Sequence, residues 1–345
     1  MKKITKKLLS IGIIIITAVG AVCGAIAYGL LYMPNFKLSE TKYVYIYEDH
    51  KDFDALCEEL RDSAGCRHID LFRILAGFRE YPGNMKSGRF AVEPDMNNHT
   101  LLNRLRRGQQ TPVRLTFNNI RLLGDLTARL SDQLMIEEDD LLSRLGDDEY
   151  SESLGFNAAT IKAMFIPNTY EVYWNISADK LIERMKREYD AFWNENRLAK
   201  AGELRMSPVE VSILASVVEE ETTVPDEYPV VAGLYINRLR RGMPLQADPT
   251  VKYAVGDFSL RRILNKHLEV ESPYNTYLHE GLPPGPIRVP SVKGIDAVLN
   301  YTKHNYLYMC AKEDFSGRHN FAVTLSEHNR NADKYRAELN RRGIR

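Results

Sequence analysis

Cysteine is scarce in this chain. Its four cysteines among 345 residues are too few and too scattered for a disulfide scaffold. Cys23 lies inside an apolar run, which leaves Cys57, Cys66 and Cys310. A Cys57–Cys66 bridge would require an oxidising compartment, and unpaired thiols are the alternative. The sequence also lacks a cysteine–histidine spacing typical of zinc sites and a phosphate-binding glycine loop, so it predicts neither a metal nor a cofactor.

The chain has no excess charge of either sign. Its 46 lysines and arginines equal its 46 aspartates and glutamates, which argues against a nucleic-acid partner. Internal repeats and low-complexity tracts are absent as well. With 44% apolar residues, the composition is that of an ordinary globular protein long enough for two domains.

One long uncharged run is present, from Leu8 to Phe36, and residues 8–32 are its most apolar part. It exceeds the roughly 20 residues that cross a bilayer. Four lysines precede it (Lys2, Lys3, Lys6 and Lys7), which predicts a cytoplasmic N-terminus and an extracytoplasmic remainder. The alternative is a cleaved signal peptide, against which the length of the run argues. We therefore expect residues 1–36 to form a single-pass anchor in the cytoplasmic (inner) membrane.

After the anchor, the patterns predict an α+β fold. A strand over 43–47, helices over 51–63 and 68–79, a strand over 89–92, a helix over 101–107 ending at Gly108, and a strand over 113–117 make a compact module. We place this module at residues 40–117. Residues 118–345 are predicted to form a second domain, mainly helical with mixed α+β character.

A helix with clear start signals begins near residue 207. Ser207 is suited to the N-cap, Pro208 to the first turn, and Glu210 to the reciprocal position of a capping box. Apolar side chains then follow along one broad arc of the helix: Val211, Ile213, Leu214, Val217 and Val218.

Glu221 is the most informative residue of this helix. It projects onto the apolar arc between Leu214 and Val217, whereas Glu219 and Glu220 fall outside the arc or at its margins. Burial and a helix C-terminus both raise the pKa of a carboxyl group, and a carboxyl protonated near neutral pH is what a general acid requires. The alternative is that the helix frays after Glu219 and all three glutamates are solvated.

Three proline-stiffened loops follow a second amphipathic helix over 230–239. They cover residues 244–250, 272–277 and 281–287, and they concentrate Gln, Asp, Asn, Thr and Tyr. Many neutral hydrogen-bonding groups beside aromatic rings suit a polyhydroxylated ligand. Each loop alone also fits ordinary turn chemistry.

Taken together and in order, these segments resemble the MltG/YceG-like endolytic murein transglycosylases. The resemblance is carried by residues 214–222, 237–239, 245–251, 274–277, 281–287, 319–321 and 326–329, and it covers about residues 160–340. In the family, the second glutamate of a Glu-x-Glu pair followed by threonine is the catalytic acid. That position is Glu221 here, and Glu219 matches the first glutamate. The helical projection selects Glu221 independently.

The resemblance implies a lyase that acts on nascent peptidoglycan. It implies cleavage of the MurNAc-β-1,4-GlcNAc bond within glycan strands, formation of 1,6-anhydro-MurNAc ends, limitation of strand elongation, and no cofactor. Glycan strands are the implied partners, with peptidoglycan synthases as further candidates. The module at 40–117 is LysM-like on this view, although a spacer that holds the catalytic domain away from the membrane fits as well.

Further site candidates come from the loops and from the C-terminal segment. Gln246, Asn275, Tyr277 and His319 are predicted to contact sugar or to orient Glu221, or alternatively to fix their own loops. Asp248 is either a second carboxylate or the start of a turn.

Two rival functions remain open. A lysozyme-like muramidase would pair Glu221 with Asp248 or Glu219 and use water. A glycan-binding envelope scaffold would not cut at all.

Overall fold

The computed structural model describes residues 2–260 and 262–343, with all side chains in these ranges except those of residues 2–10 and 30. The four lysines predicted to set the membrane orientation therefore lie outside the described side chains. The chain divides into two compact units. The first contains Met1–Arg114, Gln133–Met135 and Glu171–Ile176, and the second contains Leu115–Asp132, Ile136–Tyr170 and Ser177–Arg345.

The first unit begins with one long helix, α1 (Lys2–Tyr32). Its segment Ile11–Gly29 is apolar, long enough to cross a bilayer, and not buried against the rest of the chain. An exposed apolar helix of this length fits a membrane anchor or a signal sequence.

The remainder of the first unit contains the predicted sequence of helices and strands. Its elements are β1 (Lys42–Ile46), α2 (Phe53–Asp62), α3 (Ile69–Phe78), β2 (Gly88–Val92) and α4 (Asn98–Arg107). Strands β1 and β2 pair antiparallel, with Lys42 opposite Val92. Gly108 adopts φ 66° and ends α4, as its position predicted.

The cysteines of this unit, Cys57 and Cys66, are buried free thiols. They belong to a core that also includes Phe72, Phe90 and Leu101. Burial raises the pKa of Cys57 to about 11, which favours an unreactive thiol. Of the two predicted alternatives, the structure contains the unpaired one.

The second unit is mainly helical. Its helices are α5 (Leu123–Ser131), α6 (Glu138–Leu145), α7 (Asp148–Ser153), α8 (Ala178–Phe192), α9 (Glu195–Leu204), α10 (Pro208–Glu221), α11 (Tyr228–Arg240), α12 (Asp248–Val255), α13 (Asn265–Leu268), α14 (Val292–Leu299) and α15 (Leu325–Arg341). Strands β5 (Tyr308–Ala311) and β6 (His319–Ala322) pair antiparallel. Strands β3 (Val113–Thr116) and β4 (Thr169–Val172) each run across a boundary between the two units, so neither belongs to the second unit alone. This mixture of helices and strands agrees with the predicted α+β class.

Helix α10 lies at the centre of the second unit, packed against α11 and α14. All residues from Val211 to Glu219 are buried, so the helix has no solvent-facing side over this stretch. The helix also continues through Glu221, which makes the fraying alternative wrong. Placing Glu219 outside the buried surface was wrong too, because α10 is covered on every side rather than on one arc.

Candidate active site

Glu221 lies at the C-terminal end of helix α10. The Ser207 hydroxyl accepts the Glu210 N–H at 3.2 Å, and Glu210 accepts the Ser207 N–H at 2.7 Å, so the predicted capping box fixes where the helix begins. Glu221 is the last residue of the helix, and Thr222 follows it in extended conformation. A helix that is buried from Val211 to Glu219 holds this carboxyl group on a rigid support.

Glu221 faces a cleft of about 400 Å³ within the second unit. Residues from α11, α12, α15, β5, β6 and the intervening loops complete its walls: Leu234, Tyr235, Arg238, Leu245, Gln246, Asp248, Tyr277, Tyr308, Met309, Cys310, Ala311, His319, Leu325 and His328. Five of the seven predicted site residues therefore meet here, since Glu221, Gln246, Asp248, Tyr277 and His319 all line the cleft. Glu219 and Asn275 do not.

The environment of Glu221 raises the pKa of its carboxyl group to about 7, from an ordinary value of 4.5. Burial is the main cause, and the negative charge of Asp248 is the second. Hydrogen bonding from Tyr235 and the positive charge of Arg238 act in the opposite direction. Glu221 Oε2 is buried and has no hydrogen-bond partner among the described residues. The carboxyl group can therefore hold a proton near neutral pH at the border of the cleft, and one of its oxygens is not committed to a partner within the described protein.

Asp248 occupies the first turn of α12 rather than a loop. The Tyr277 hydroxyl donates a hydrogen bond to its Oδ1 at 2.7 Å, and burial raises the pKa of Tyr277 well above the ordinary value for tyrosine. Two roles were predicted for Asp248, a second carboxylate or the start of a turn; in the structure the residue begins helix α12 and also lines the cleft. Asp248 and Tyr277 thus form a hydrogen-bonded pair in the wall of the cleft.

Arg238, near the C-terminal end of α11, fixes the loop that follows this helix. Its guanidinium donates to the carbonyl oxygens of Leu307 at 2.6 Å, Leu245 at 2.9 Å and Pro244 at 3.1 Å. It also donates to Gln246 Oε1 at 3.2 Å, so the side chain of Gln246 is fixed where it lines the cleft. One buried cation thereby orders two segments of the cleft wall.

Asn275 supports its loop and does not line the cleft. Its amide donates to the carbonyl oxygens of Leu268 and Val270 at 2.9 Å each, and its Oδ1 accepts the Tyr277 N–H at 3.0 Å. The side chain is completely buried. Of the two roles predicted for Asn275, the structure favours fixing the loop that presents Tyr277.

Glu219 and Glu220 make contacts on the other side of α10. Glu219 accepts hydrogen bonds from the Ser291 N–H at 2.9 Å and from the Ser291 hydroxyl, at the N-terminus of α14. Glu220 forms ion pairs with Arg121 and Arg288, each at 2.9 Å. Both carboxylates therefore join α10 to its surroundings, and neither lines the cleft.

His319 enters the cleft from β6 and is held by Glu227. Its backbone N–H donates to Glu227 Oε1 at 3.0 Å, and its Nδ1 lies 2.9 Å from Glu227 Oε2. The Thr222 hydroxyl donates to the same Oε2 at 3.1 Å. The segment that follows Glu221 and the strand that carries His319 are thus joined through one carboxylate.

Sequence reasoning missed Tyr235, Arg238 and Glu227 as members of the site. Tyr235 and Arg238 are one turn apart on α11, and the structure buries both. The sequence alone gives only their helical spacing, because it does not show burial. Glu227 gave no comparable signal. Among residues 2–260 and 262–343, no cluster of three or more His, Cys, Asp or Glu side chains is arranged to hold a metal ion.

Comparisons with known proteins identify the family. The pattern that describes the YceG-like family matches residues 44–334, and the chain belongs to this family. It is similar to a protein of Bacillus subtilis named endolytic murein transglycosylase, with 27% identity over 92% of this chain and 91% of the relative. A Streptococcus pneumoniae protein of the same name is 26% identical over 79% of this chain and 55% of its own length. The crystal structure of a YceG-like protein from Listeria monocytogenes superposes with a TM-score of 0.57, at 27% identity, and covers 85% of this chain and 99% of that one.

Proposed function

We propose that this chain is an endolytic murein transglycosylase, a lyase that cuts nascent peptidoglycan strands between MurNAc and GlcNAc and leaves 1,6-anhydro-MurNAc ends. Membership of the YceG-like family and the names of its relatives support the activity. The observation that carries the chemistry is Glu221, a carboxyl group with a pKa of about 7 and a buried, unengaged oxygen, in a cleft lined by polar groups.

In the proposed reaction, one carboxyl group acts first as acid and then as base. Glu221 donates its proton to the glycosidic oxygen as the bond from that oxygen to C1 of MurNAc breaks. The C6 hydroxyl oxygen of the same MurNAc then bonds to C1, and its proton passes to the Glu221 carboxylate. No water is consumed, and the residue regains its starting state. A pKa near the working pH suits a group that must both give and take a proton.

The product ends test this proposal. The detergent-solubilised full-length chain is incubated with purified, uncrosslinked peptidoglycan strands, and the fragments are analysed by mass spectrometry. We expect fragments with anhydro ends, each lighter by one water molecule than the corresponding hydrolysis product. Fragments with reducing ends would contradict the transglycosylase mechanism and indicate a hydrolase. A folded protein that binds strands without cutting them would indicate a scaffold.

The rival hydrolase reading depends on Asp248. A muramidase needs a second carboxylate near the general acid, and Asp248 lines the same cleft as Glu221. Glu219, the other candidate, is engaged by Ser291 outside the cleft. In the proposed transglycosylase, Asp248 has an electrostatic role instead, because its negative charge raises the pKa of Glu221.

The Asp248→Asn substitution separates these roles through the pH profile. Removing the negative charge should lower the pKa of Glu221, so the protonated acid is lost at a lower pH. The alkaline limb of kcat/KM should therefore move to lower pH, while activity in mildly acidic buffer is largely retained. Asp257→Asn, on the exposed turn after α12, is the matched control and should leave the alkaline limb of the kcat/KM profile at its original pH. Loss of cleavage at every pH would instead assign Asp248 a direct role in the chemistry.

We further propose a role for each of the three predicted regions of the chain. Residues 1–36 would form the single-pass anchor in the cytoplasmic membrane with the N-terminus inside, supported by the exposed apolar helix α1. Residues 40–117 would form a LysM-like module, supported by its β1–α2–α3–β2 order, and residues 118–345 the catalytic domain on the extracytoplasmic side. Glycan strands are the proposed partners, with peptidoglycan synthases as candidates for further ones.

A further inference from the structure

Glu227 is a buried carboxylate that the reaction above does not use. It ends a short 3₁₀ helix, Pro225–Glu227, between α10 and α11, and only 5% of its surface is exposed. Its two oxygens contact the backbone N–H and Nδ1 of His319 and the hydroxyl of Thr222. The Thr222 hydroxyl in turn accepts the Val224 N–H at 3.1 Å, so its own proton points to Glu227.

These contacts determine which nitrogen of His319 carries the ring proton. The ionised carboxylate of Glu227 can only accept hydrogen bonds. Across its 2.9 Å contact with His319, Nδ1 is therefore the donor. In the neutral ring, Nε2 then has a free lone pair. The ring borders the same cleft as Glu221, and within the described part of the chain Nε2 has no hydrogen-bond partner.

We propose that Glu227 is a positioning residue, which holds His319 in the tautomer protonated at Nδ1 so that Nε2 accepts a hydrogen bond from a glycan hydroxyl group bound beside Glu221. Because Thr222 directly follows Glu221, Glu227 also joins the end of α10 to the strand that carries His319. The identity of the ligand rests on the proposed function. The tautomer does not.

The Glu227→Gln substitution tests the tautomer directly. Glutamine has the same shape but only one side-chain oxygen. If that oxygen still accepts the hydrogen bond from the backbone N–H of His319, the amide NH₂ group faces Nδ1. Nδ1 must then accept a hydrogen bond, so the ring proton moves to Nε2. We would record ¹⁵N NMR spectra of the full-length chain in detergent, labelled at histidine, in mildly alkaline buffer where imidazole is neutral. The signals of His319 are assigned by their loss in His319→Gln.

We expect the Nδ1-protonated form in the unsubstituted chain and the Nε2-protonated form in Glu227→Gln. Asp226→Asn is the matched control, because this neighbouring carboxylate is exposed and pairs only loosely with Arg318, at 3.5 Å. It should leave the tautomer unchanged. An Nε2-protonated ring in the unsubstituted chain, or the same tautomer in Glu227→Gln, would overturn the proposal.

Kinetics of strand cleavage then separate positioning from a merely structural role. Glu227→Gln should reduce kcat/KM by about 10- to 100-fold, the effect of one misdirected hydrogen bond to a substrate. In a His319→Gln background, which has no tautomer to set, the same substitution should have little further effect. Equal losses in both backgrounds would indicate that Glu227 only supports the fold. A chain that fails to cleave at all would contradict the proposed function, while the NMR result would still decide the tautomer.

Discussion

Replacing Glu221 by glutamine is expected to reduce the rate of strand cleavage by about 100- to 10,000-fold, the range that a general acid contributes. Glutamine keeps the shape of the side chain and cannot donate a proton to the glycosidic oxygen. Since one carboxyl group is proposed to act as both acid and base, the substitution removes both proton transfers. The measurement is the rate of release of anhydro-ended fragments by the full-length chain, compared with the variant at equal concentration of folded protein.

Glu220→Gln provides the matched control for this substitution. Glu220 is adjacent in sequence and also a carboxylate, but it pairs with Arg121 and Arg288 instead of lining the cleft. The variant loses part of an ion-pair network, so a modest loss of stability is expected, with cleavage largely retained wherever the protein is folded. If Glu221→Gln cleaved at the rate of the unsubstituted chain, Glu221 would not be the acid.

Stability gives a second and independent measure of the Glu221 environment. Its pKa is about 7 in the folded chain against 4.5 ordinarily, so its contribution to stability is complete below pH 4.5 and is lost as the pH rises through about 7. Glutamine has no charge to bury. The free energy of unfolding of Glu221→Gln should therefore exceed that of the unsubstituted chain by a margin that grows from about pH 4.5 to about pH 7 and stays constant above, at about 3 kcal/mol. Denaturant unfolding at several pH values measures this difference.

Local sequence signals were sufficient for the framework of the site. Ser207, Pro208 and Glu210 marked the start of α10 because capping depends on residues within one turn. Helical periodicity placed Glu221 among apolar neighbours, and the structure raises its pKa as predicted. The strands and helices of residues 42–107 were likewise predictable, because each has its own turn residues and hydrophobic pattern.

Contacts between distant segments could not be predicted in this way. Glu219 projected off the apolar arc, but its partner Ser291 is 72 residues away and covers it. Glu227 and His319 are 92 residues apart and meet only because β6 returns beside the 3₁₀ helix. Periodicity reports one face of one element, and it carries no information about which loops fold against it. Asn275 illustrates the same limit, because its type fits a sugar contact and a loop support equally well.

Replacing Arg238 by methionine is expected to destabilise the second unit by about 3 kcal/mol or more. Methionine fills much of the same volume, but it leaves the carbonyl oxygens of Leu307, Leu245 and Pro244 without the donor that now satisfies them. Each buried acceptor that loses its partner costs about 1–3 kcal/mol. The walls of the cleft formed by residues 244–246 and 307–308 should loosen together, because one guanidinium holds both. Chemical denaturation and hydrogen exchange of these two segments measure the effect.

Two further variants test whether the geometry or the charge of Arg238 is responsible. Arg240→Met, two residues along α11, removes an exposed arginine that donates to the Tyr301 hydroxyl at 3.1 Å, and it should change stability by no more than about 0.5 kcal/mol. Arg238→Lys keeps the positive charge but not the planar fork of donors, so we expect most of the stability loss to remain. The charge of Arg238 also lowers the pKa of Glu221, so Arg238→Met should move the alkaline limb of kcat/KM to higher pH, opposite to Asp248→Asn. Arg238→Lys should leave this limb nearer its original position. If Arg238→Lys were as stable as the unsubstituted chain, the positive charge alone would hold the two segments of the cleft wall. The hydrogen bonds that the guanidinium donates to both segments would then not be needed for stability.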